Sequence, residues 1–167
     1  MARLPLITLE AMPAALQEAV ARGRQSRMLS PITPVQVWAH RPRAALAWLG
    51  LMEALHSESL LDERLRELVR LKIASITTCQ ACRLARKSDS VTEQDIVCMN
   101  SDSAHFTPAE QAALAYAELF AGDYLAIDDT HFAQLAIFFS PEQVVELGMF
   151  CALMLAGGRM TVVQQAY

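Results

Sequence analysis

Two cysteines three residues apart, Cys79 and Cys82, carry the strongest chemical signal in this sequence. At that spacing, two sulfurs can close a short disulfide, or one thiolate can attack while the other waits. Glu67 lies twelve residues before the pair, in a segment (62–75) whose pattern is that of a charged amphipathic helix. The five residues after the pair carry three positive charges. A dithiol between an acidic helix and a basic segment indicates redox chemistry.

The residues around the dithiol have distinct possible roles. Thr77–Thr78 offers a helix cap just before Cys79, and a sulfur in the first turn of a helix is stabilised as thiolate by backbone N–H groups and the helix dipole. Cys79, Cys82 and Arg86 have the spacing of one helical face. Arg86 can stabilise thiolate charge or pair with Glu67, but it stays protonated and cannot act as a base. Glu67 can accept a thiol proton.

Composition limits the class of protein. The 167 residues are 53% hydrophobic and 19% charged, which is enough for one domain with a core and excludes a disordered chain. The net charge of −4, without a basic stripe, argues against nucleic-acid binding. The start of the chain has no signal-peptide core, and the longest apolar run, 147–158, is too short to span a membrane. We therefore expect a cytoplasmic, reducing location, where a CxxC pair is more often catalytic or metal-binding than structural.

Helix starts recur along the chain. Each of the segments 33–36, 107–110 and 140–143 places a hydroxyl residue before proline, with Glu or Gln two residues beyond that proline. The hydroxyl caps an orphan N–H, proline lacks the N–H that would be wasted there, and the acidic or amide side chain reaches back to the cap. Three further starts are predicted at Pro42 (to about His56), at Asp62, and at Thr92 (to near Asn100).

These starts predict an all-α protein. No segment alternates strictly enough to form a convincing strand, and we expect roughly seven to nine helices in one domain over 1–167. Within this domain we place the core at 33–163 and an N-terminal arm at 1–32. The arm is predicted to be helical over 13–22 and to continue as a solvated connection over 22–27.

The last predicted helix is apolar nearly all round between Leu147 and Ala156. A helix of that kind in a small domain is usually buried on two sides. We expect one side to face the core of its own chain and the other a neighbouring subunit, with a central core helix in a monomer as the alternative.

The ordered set of these motifs resembles the alkylhydroperoxidase D-like (AhpD-like), carboxymuconolactone decarboxylase family. The resemblance covers about residues 33–163, and its segments are the helix with Glu67 at 65–74, the CxxC at 79–82, the lead-in helix at 37–42, and two later helices at 107–114 and 138–147. It implies an all-helical fold in trimers or hexamers. No cofactor is expected.

The resemblance also implies a peroxidase cycle. Cys82 attacks a hydroperoxide and becomes a sulfenic acid, Cys79 resolves it as a disulfide, and a thiol or dithiol reductant resets the pair. Glu67 matches the acidic member of the proton relay.

This chain departs from the family pattern at the relay histidines. The position four residues after the second cysteine is Arg86, and the position that holds histidine in some members, between the cysteines, is Ala81. Arg86 would activate a thiolate electrostatically without carrying a proton. The remaining histidines, any of which would have to fold in to substitute, are His40, His56, His105 and His131.

Other interpretations of the dithiol remain open. A zinc site needs two more ligands, but Cys98 and Cys151 are isolated, apolar-flanked and better placed in a core, so no metal is predicted. Two buried, inert cysteines are a second alternative. The leading function is a thiol-dependent peroxidase or disulfide oxidoreductase in antioxidant defence. The alternatives are a decarboxylase-like lyase on a small organic acid, whose family members commonly lack the cysteine pair, and a non-catalytic redox-responsive oligomer.

Overall fold

The computed structural model describes residues 2–99 and 103–167. About 70% of the chain is helical, and the described residues contain nine α-helices and no strand, which confirms the predicted all-α class. The helices are α1 Ala14–Gln25, α2 Thr33–Trp38, α3 Pro42–Ser57, α4 Glu63–Ile76, α5 Gln80–Leu84, α6 Glu93–Cys98, α7 Pro108–Gly122, α8 Asp129–Ala136 and α9 Pro141–Gln164.

The chain divides into two compact units. The first contains the residues up to Ser59 together with Arg159–Tyr167, and the second is Leu60–Gly158. The prediction of a single domain over 1–167 stays a prediction.

The first unit has its own apolar core, built on α1, α2 and α3. Leu16 and Val20 of α1 are fully buried with Val35 of α2 and Leu49 of α3. The N-terminal arm therefore contributes core side chains to this unit. Burial of such aliphatic groups stabilises the folded state by about 1.5–3 kcal/mol each.

Helix α1 is longer than predicted. It continues through Gln25, so the predicted connection over 22–27 is wrong for its first four residues. The reason is Gly23, which is buried: a Cβ built there would lie 2.7 Å from the side chain of Leu29. Because Gly23 has no side chain, the segment at Leu29 packs directly on the helix. This packing stabilises a last helical turn whose polar composition predicted a solvated connection.

The second unit is organised around α4, which packs against α5 and α7. Leu68 and Leu71 of α4 share a buried cluster with Phe106 and with Leu114 of α7. Most of α4 is buried, including three charged residues, Glu67, Arg70 and Lys72. A helix enclosed on so many sides must satisfy those charges internally.

Most predicted helix starts are confirmed. Asp62 caps α4 by accepting from the Leu65 N–H at 2.8 Å. Reciprocal capping boxes open α6 and α7, and Ser140 and Gln143 exchange bonds in the same way before α9. Helix α3 begins at Pro42 as predicted.

Two predicted boundaries differ in detail. Thr33 is the first residue of α2 rather than its cap; Ile32 holds the cap position, and no side chain caps this end. Helix α6 ends at Cys98, and its predicted end near Asn100 lies outside the described residues.

Helix α9 corrects the argument from length against a membrane span. It has 24 residues, with a mean hydropathy of 1.4 over its most apolar stretch of 18, and is, among the described residues, the one helix long and apolar enough to cross a membrane. A core helix of a soluble protein meets the same criterion, but only 33% of this stretch is buried. Length therefore does not exclude a span, and the apolar surface of α9 is largely uncovered within one chain.

Candidate active site at the Cys79–Cys82 disulfide

A tight reversal after α4 places the dithiol. The N–H of Thr78 bonds the Ser75 carbonyl at 3.3 Å, and the N–H of Cys79 bonds the Ala74 carbonyl at 3.2 Å. These two bonds form a Schellman motif, in which the residue after the cap is left-handed. That residue is Thr78, with φ of 53°, where glycine is usual. A β-branched residue in this conformation is strained, and the strain lies immediately before the first cysteine.

Cys79 is itself the cap of α5, which corrects the predicted cap at Thr77–Thr78. Its Sγ accepts from the Cys82 N–H at 3.3 Å. Thr78 cannot take this role because its backbone closes the preceding helix. The first sulfur still lies at a helix N-terminus, one residue earlier relative to the helix than predicted.

Cys79 and Cys82 form a disulfide, with the sulfurs 2.09 Å apart and the Cα atoms 5.2 Å apart. The two residues differ in accessibility: Cys79 is 0% exposed, whereas Cys82 is half-buried. Cys82 is therefore the more exposed residue of the pair. Cys98 and Cys151 are buried free thiols, in line with their predicted core positions. Burial raises the pKa of Cys151 to about 12.

Glu67 is buried and holds Arg70, which in turn binds the disulfide loop. The Arg70 guanidinium donates to both oxygens of Glu67, at 2.7 Å each, and its remaining nitrogen donates to the Cys82 carbonyl. Glu67 Oε1 also accepts the Lys87 N–H at 3.2 Å. A bidentate pair fixes geometry as well as charge. The Glu67–Arg70 pair thus connects α4 to the loop on both sides, at Cys82 and at Lys87.

Arg70 and Lys87 are two site residues that the sequence analysis did not single out. The i, i+3 spacing of Glu67 and Arg70 on a helix was a usable signal for the first. The side chain of Lys87 is half-buried, and its pKa is lowered to about 8. Burial is the main cause and the charge of Arg70 the second, while Glu67 acts in the opposite direction.

Arg86 does not share a helical face with the cysteines, contrary to the prediction. Helix α5 ends at Leu84 and the next residue is extended, so the i, i+7 spacing has no helix to act through. The Arg86 guanidinium pairs with Glu93 at 2.8 Å and bonds the Arg83 carbonyl. The expected pair between Arg86 and Glu67 is therefore replaced by Arg70. Whether Arg86 acts on the thiolate stays a prediction.

Three of the four histidines contact groups away from the dithiol. His105 contacts Asp95 at 2.8 Å and His131 contacts Asp128 at 2.7 Å. His40, which contacts the Pro5 carbonyl, and His56 belong to the first unit. Of the residues that the structure describes, no three His, Cys, Asp or Glu side chains are grouped to hold a metal ion.

Part of the chain, including the dithiol, matches a known family. The model of the carboxymuconolactone decarboxylase family matches residues 42–119, which include Glu67, both cysteines and Arg86. No curated protein matches the chain.

Three solved structures show how widely the fold is shared. An alkylhydroperoxidase AhpD core protein from Ralstonia eutropha JMP134, described as an uncharacterized peroxidase-related protein, has 21% identity and a TM-score of 0.79, over 99% of this chain and 91% of its own. A cysteine-to-alanine variant of the debrominase Bmp8, in complex with 2,3,4-tribromopyrrole, has 19% identity and a TM-score of 0.81, over 100% and 93%. A protein of unknown function from Agrobacterium tumefaciens, a putative antioxidant defence protein AhpD, has 24% identity and a TM-score of 0.68, over 77% and 92%.

At these identities the structures show a common fold and nothing finer. The match over 42–119, on this fold and with the CxxC closed as a disulfide, confirms the resemblance predicted from sequence: this part of the chain resembles the AhpD-like, carboxymuconolactone decarboxylase family.

Proposed function

We propose that this protein is a thiol-dependent peroxidase that uses Cys79 and Cys82 to reduce hydroperoxides. The observation that carries the proposal is the asymmetry of the pair: the same disulfide joins a fully buried cysteine to a partly exposed one, in a loop that Arg70 ties to buried Glu67. An accessible sulfur suits attack on a substrate, and a buried partner within bonding distance suits resolution before further oxidation.

The cycle balances with a hydroperoxide and a dithiol reductant. The Cys82 thiolate attacks the outer peroxide oxygen, the O–O bond breaks, and the alkoxide takes a proton to leave as alcohol. Cys79 then loses its proton and attacks the Cys82 sulfur, so that hydroxide leaves as water and the disulfide forms. A dithiol reductant returns both cysteines to thiols and is itself oxidised to a disulfide.

Consumption of tert-butyl hydroperoxide with dithiothreitol tests this proposal. We expect turnover in the wild type and loss of turnover in Cys79→Ser and Cys82→Ser. Cys79→Ser should accumulate a sulfenic acid at Cys82 that reacts with dimedone, whereas Cys82→Ser should not. Absence of peroxide consumption in the wild type, or labelling at the other cysteine, would contradict the assignment.

Assays with other substrates separate the competing functions. Release of bromide from 2,3,4-tribromopyrrole by the wild type, without peroxide turnover, would point to the chemistry of the debrominase that shares the fold. Release of carbon dioxide from a small organic acid, retained in Cys82→Ser, would point to a lyase.

We also propose that the protein is a homo-oligomer larger than a dimer, a trimer or hexamer. Support comes from a continuous apolar stripe on the exposed face of α9, where Val145 is 58% and Met149 54% exposed and the stripe continues through Ala152 and Ala156. A face of this kind is stable in water when another protein surface covers it.

Light scattering during size-exclusion chromatography decides the state of assembly. We expect a mass of three or six times 18.4 kDa, which Val145→Glu with Met149→Glu reduces. Val97→Glu, at an exposed apolar residue of α6, is the matched control and should leave the mass unchanged. A wild-type monomer would contradict the proposal, and a protein extracted only by detergent would place α9 in a membrane instead.

A further inference from the structure

The site lacks an obvious proton carrier. Arg86 occupies the relay position of the family, but a guanidinium does not serve as a base, and this one is engaged by Glu93. Both oxygens of Glu67 accept N–H bonds, which gives this carboxylate a holding role for Arg70 and the loop. The cycle nevertheless requires one proton to leave each thiol and one to reach each leaving group.

We propose that Lys87 carries these protons, taking one from the attacking thiol as a neutral amine and returning it to the leaving oxygen as an ammonium. The inference rests on the proposed peroxidase function for its hydroperoxide step. It is independent of that function for the reduction of the disulfide, where the departing thiolate needs the same proton.

The geometry places Lys87 at the Glu67–Arg70 pair that carries the dithiol loop. Its backbone N–H binds the same Glu67 oxygen that Arg70 binds, and Arg70 in turn holds the Cys82 carbonyl. Its half-buried side chain lies in the field of both α4 charges, and Arg86, the neighbouring cation, is paired with Glu93 of α6. The backbone at Lys87 and the backbone at Cys82 are thus fixed to one rigid pair.

The charge balance at Lys87 matches the task. The pKa of the amine is lowered to about 8 because burial and the charge of Arg70 outweigh the charge of Glu67. Near neutral pH such an amine exists in both protonation states, as a group that takes and returns a proton must. An ordinary lysine, with a pKa near 10.4, is almost wholly protonated there.

Three substitutions separate proton transfer from simple charge. Lys87→Arg keeps a positive charge that does not titrate, Lys87→Met keeps length without charge, and Lys87→His restores a group that titrates near neutral pH. We expect Arg and Met to lower the peroxide rate equally, by on the order of 10²-fold, and His to recover most of it. Arg83→Met removes an exposed charge of α5 and should change the rate less than about twofold.

The pH profile distinguishes a relay from a structural role. Reduction of the disulfide by dithiothreitol, with rates divided by the reductant's thiolate concentration, should show a transition near pH 8 in the wild type. That transition should vanish in Lys87→Arg and move lower in Lys87→His. Wild-type rates and pH dependence in Lys87→Arg would overturn the proposal. Loss of peroxide turnover in the wild type, with these exchange profiles intact, would instead overturn the peroxidase assignment alone.

A measurement on the otherwise unsubstituted site guards against variants that fail to fold. The sequence has two lysines, Lys72 and Lys87, and Lys72→Arg leaves one. Reductive methylation with a ¹³C label then reports the titration of Lys87 by NMR, once the signal of the N-terminal amine is identified in Lys72→Arg with Lys87→Arg. A titration near pH 8 supports the proposal, and a pKa above 10 overturns it.

Discussion

Helix α4 carries two arginines, Arg64 and Arg70, that make similar bonds to carboxylates with different consequences. Arg64 donates to both oxygens of Asp95, at 2.7 and 3.1 Å, and to Glu110 at 2.7 Å. Both carboxylates already belong to the capping boxes of α6 and α7. Arg64 therefore joins three helices through groups whose positions are fixed by their own caps.

Arg70, in contrast, has a partner that belongs to the redox-active pair. It binds one carboxylate, Glu67, and then the backbone carbonyl of Cys82, a residue whose sulfur changes its bonding in the proposed cycle. Arg64 also donates to a backbone carbonyl, that of Ser90 at 2.8 Å, but Ser90 has no redox chemistry, whereas the Arg70 link ends at a reactive residue. The same arginine–carboxylate pairing therefore serves stability where its partners are unreactive, and an active site where one partner is a reactive residue.

Loss of Arg64 is expected to have the largest effect on stability. Arg64→Met leaves two buried carboxylates without their cation, and we expect the free energy of unfolding to fall by about 2–4 kcal/mol. The rate of disulfide reduction in the folded protein should stay within about twofold. Urea unfolding and dithiothreitol exchange measure the two.

The same variant has a pH signature. Arg64 holds the pKa of Asp95 well below its usual range. Ionised Asp95 thus adds stability above pH 4 that is lost as the pH falls, and Arg64→Met should flatten this acid limb. Arg22→Met, at an exposed pair with Glu53, is the control and should change the stability much less. Equal losses of unfolding free energy in the two variants would show that the Arg64 cluster stabilises the fold no more than an exposed ion pair does.

Glu67→Gln tests the other arginine link. Glutamine keeps the shape but accepts only one of the two Arg70 bonds and carries no charge. We expect peroxide-driven disulfide formation to slow by on the order of 10²-fold. Removal of the charge that raises the Lys87 pKa should also move the alkaline transition below pH 8. Rapid-mixing kinetics across pH measure both effects.

Arg70→Gln is the matched control for this variant. It breaks the same link from the other side, yet leaves the carboxylate in place. If disulfide formation slows by the same factor in the two variants and the pH transition is the same, Glu67 acts only by holding Arg70. A larger loss and a lower transition in Glu67→Gln support a separate electrostatic role.

The parts of the site that the sequence predicted are those encoded within a few residues. The spacing of a CxxC pair lets it close a disulfide locally, and the caps at Asp62, Thr92 and Thr107 depend on side chains three residues apart. These features need no knowledge of distant packing. The helix class and most helix starts follow for the same reason.

The features that could not be predicted from sequence depend on where short helices and turns end. Helix α5 has five residues, and an extended residue at Ala85 turns Arg86 away from the cysteines. No glycine or proline marks that end. Thr78 likewise occupies a left-handed position without glycine, so its turn is fixed by packing and backbone bonds rather than by its own preference. The i, i+3 spacing on a helix favours Arg70 as the partner of Glu67, but the link from Arg70 to the Cys82 carbonyl depends on the fold.

Gly158→Ala probes the packing under the strained turn, with a smaller expected effect. A Cβ at Gly158 would lie 3.0 Å from Thr77 Oγ1, which is itself fixed by a bond to the Ile73 carbonyl. We expect a loss of about 1 kcal/mol in unfolding free energy and a few-fold change in disulfide exchange. Gly50→Ala, in α3 with nothing within 4 Å of the new Cβ, should instead gain up to about 1 kcal/mol. A gain in both variants would show that Thr77 yields freely and that the turn is not held by this contact.

Arg86→His is expected to have the smallest effect in the wild-type background. The change removes a surface pair with Glu93, which is worth less than about 1 kcal/mol, and places a titratable group at the relay position of the family. We expect peroxide turnover near neutral pH to rise by no more than a few-fold, because Lys87 already carries the proton. In the Lys87→Met background, the same substitution should raise turnover by about tenfold or more, since histidine then supplies the missing carrier. Steady-state rates of the four combinations form a double-mutant cycle. Equal gains in the two backgrounds would mean that Lys87 and the residue at position 86 act independently, and the relay would have to be sought at Glu67 instead.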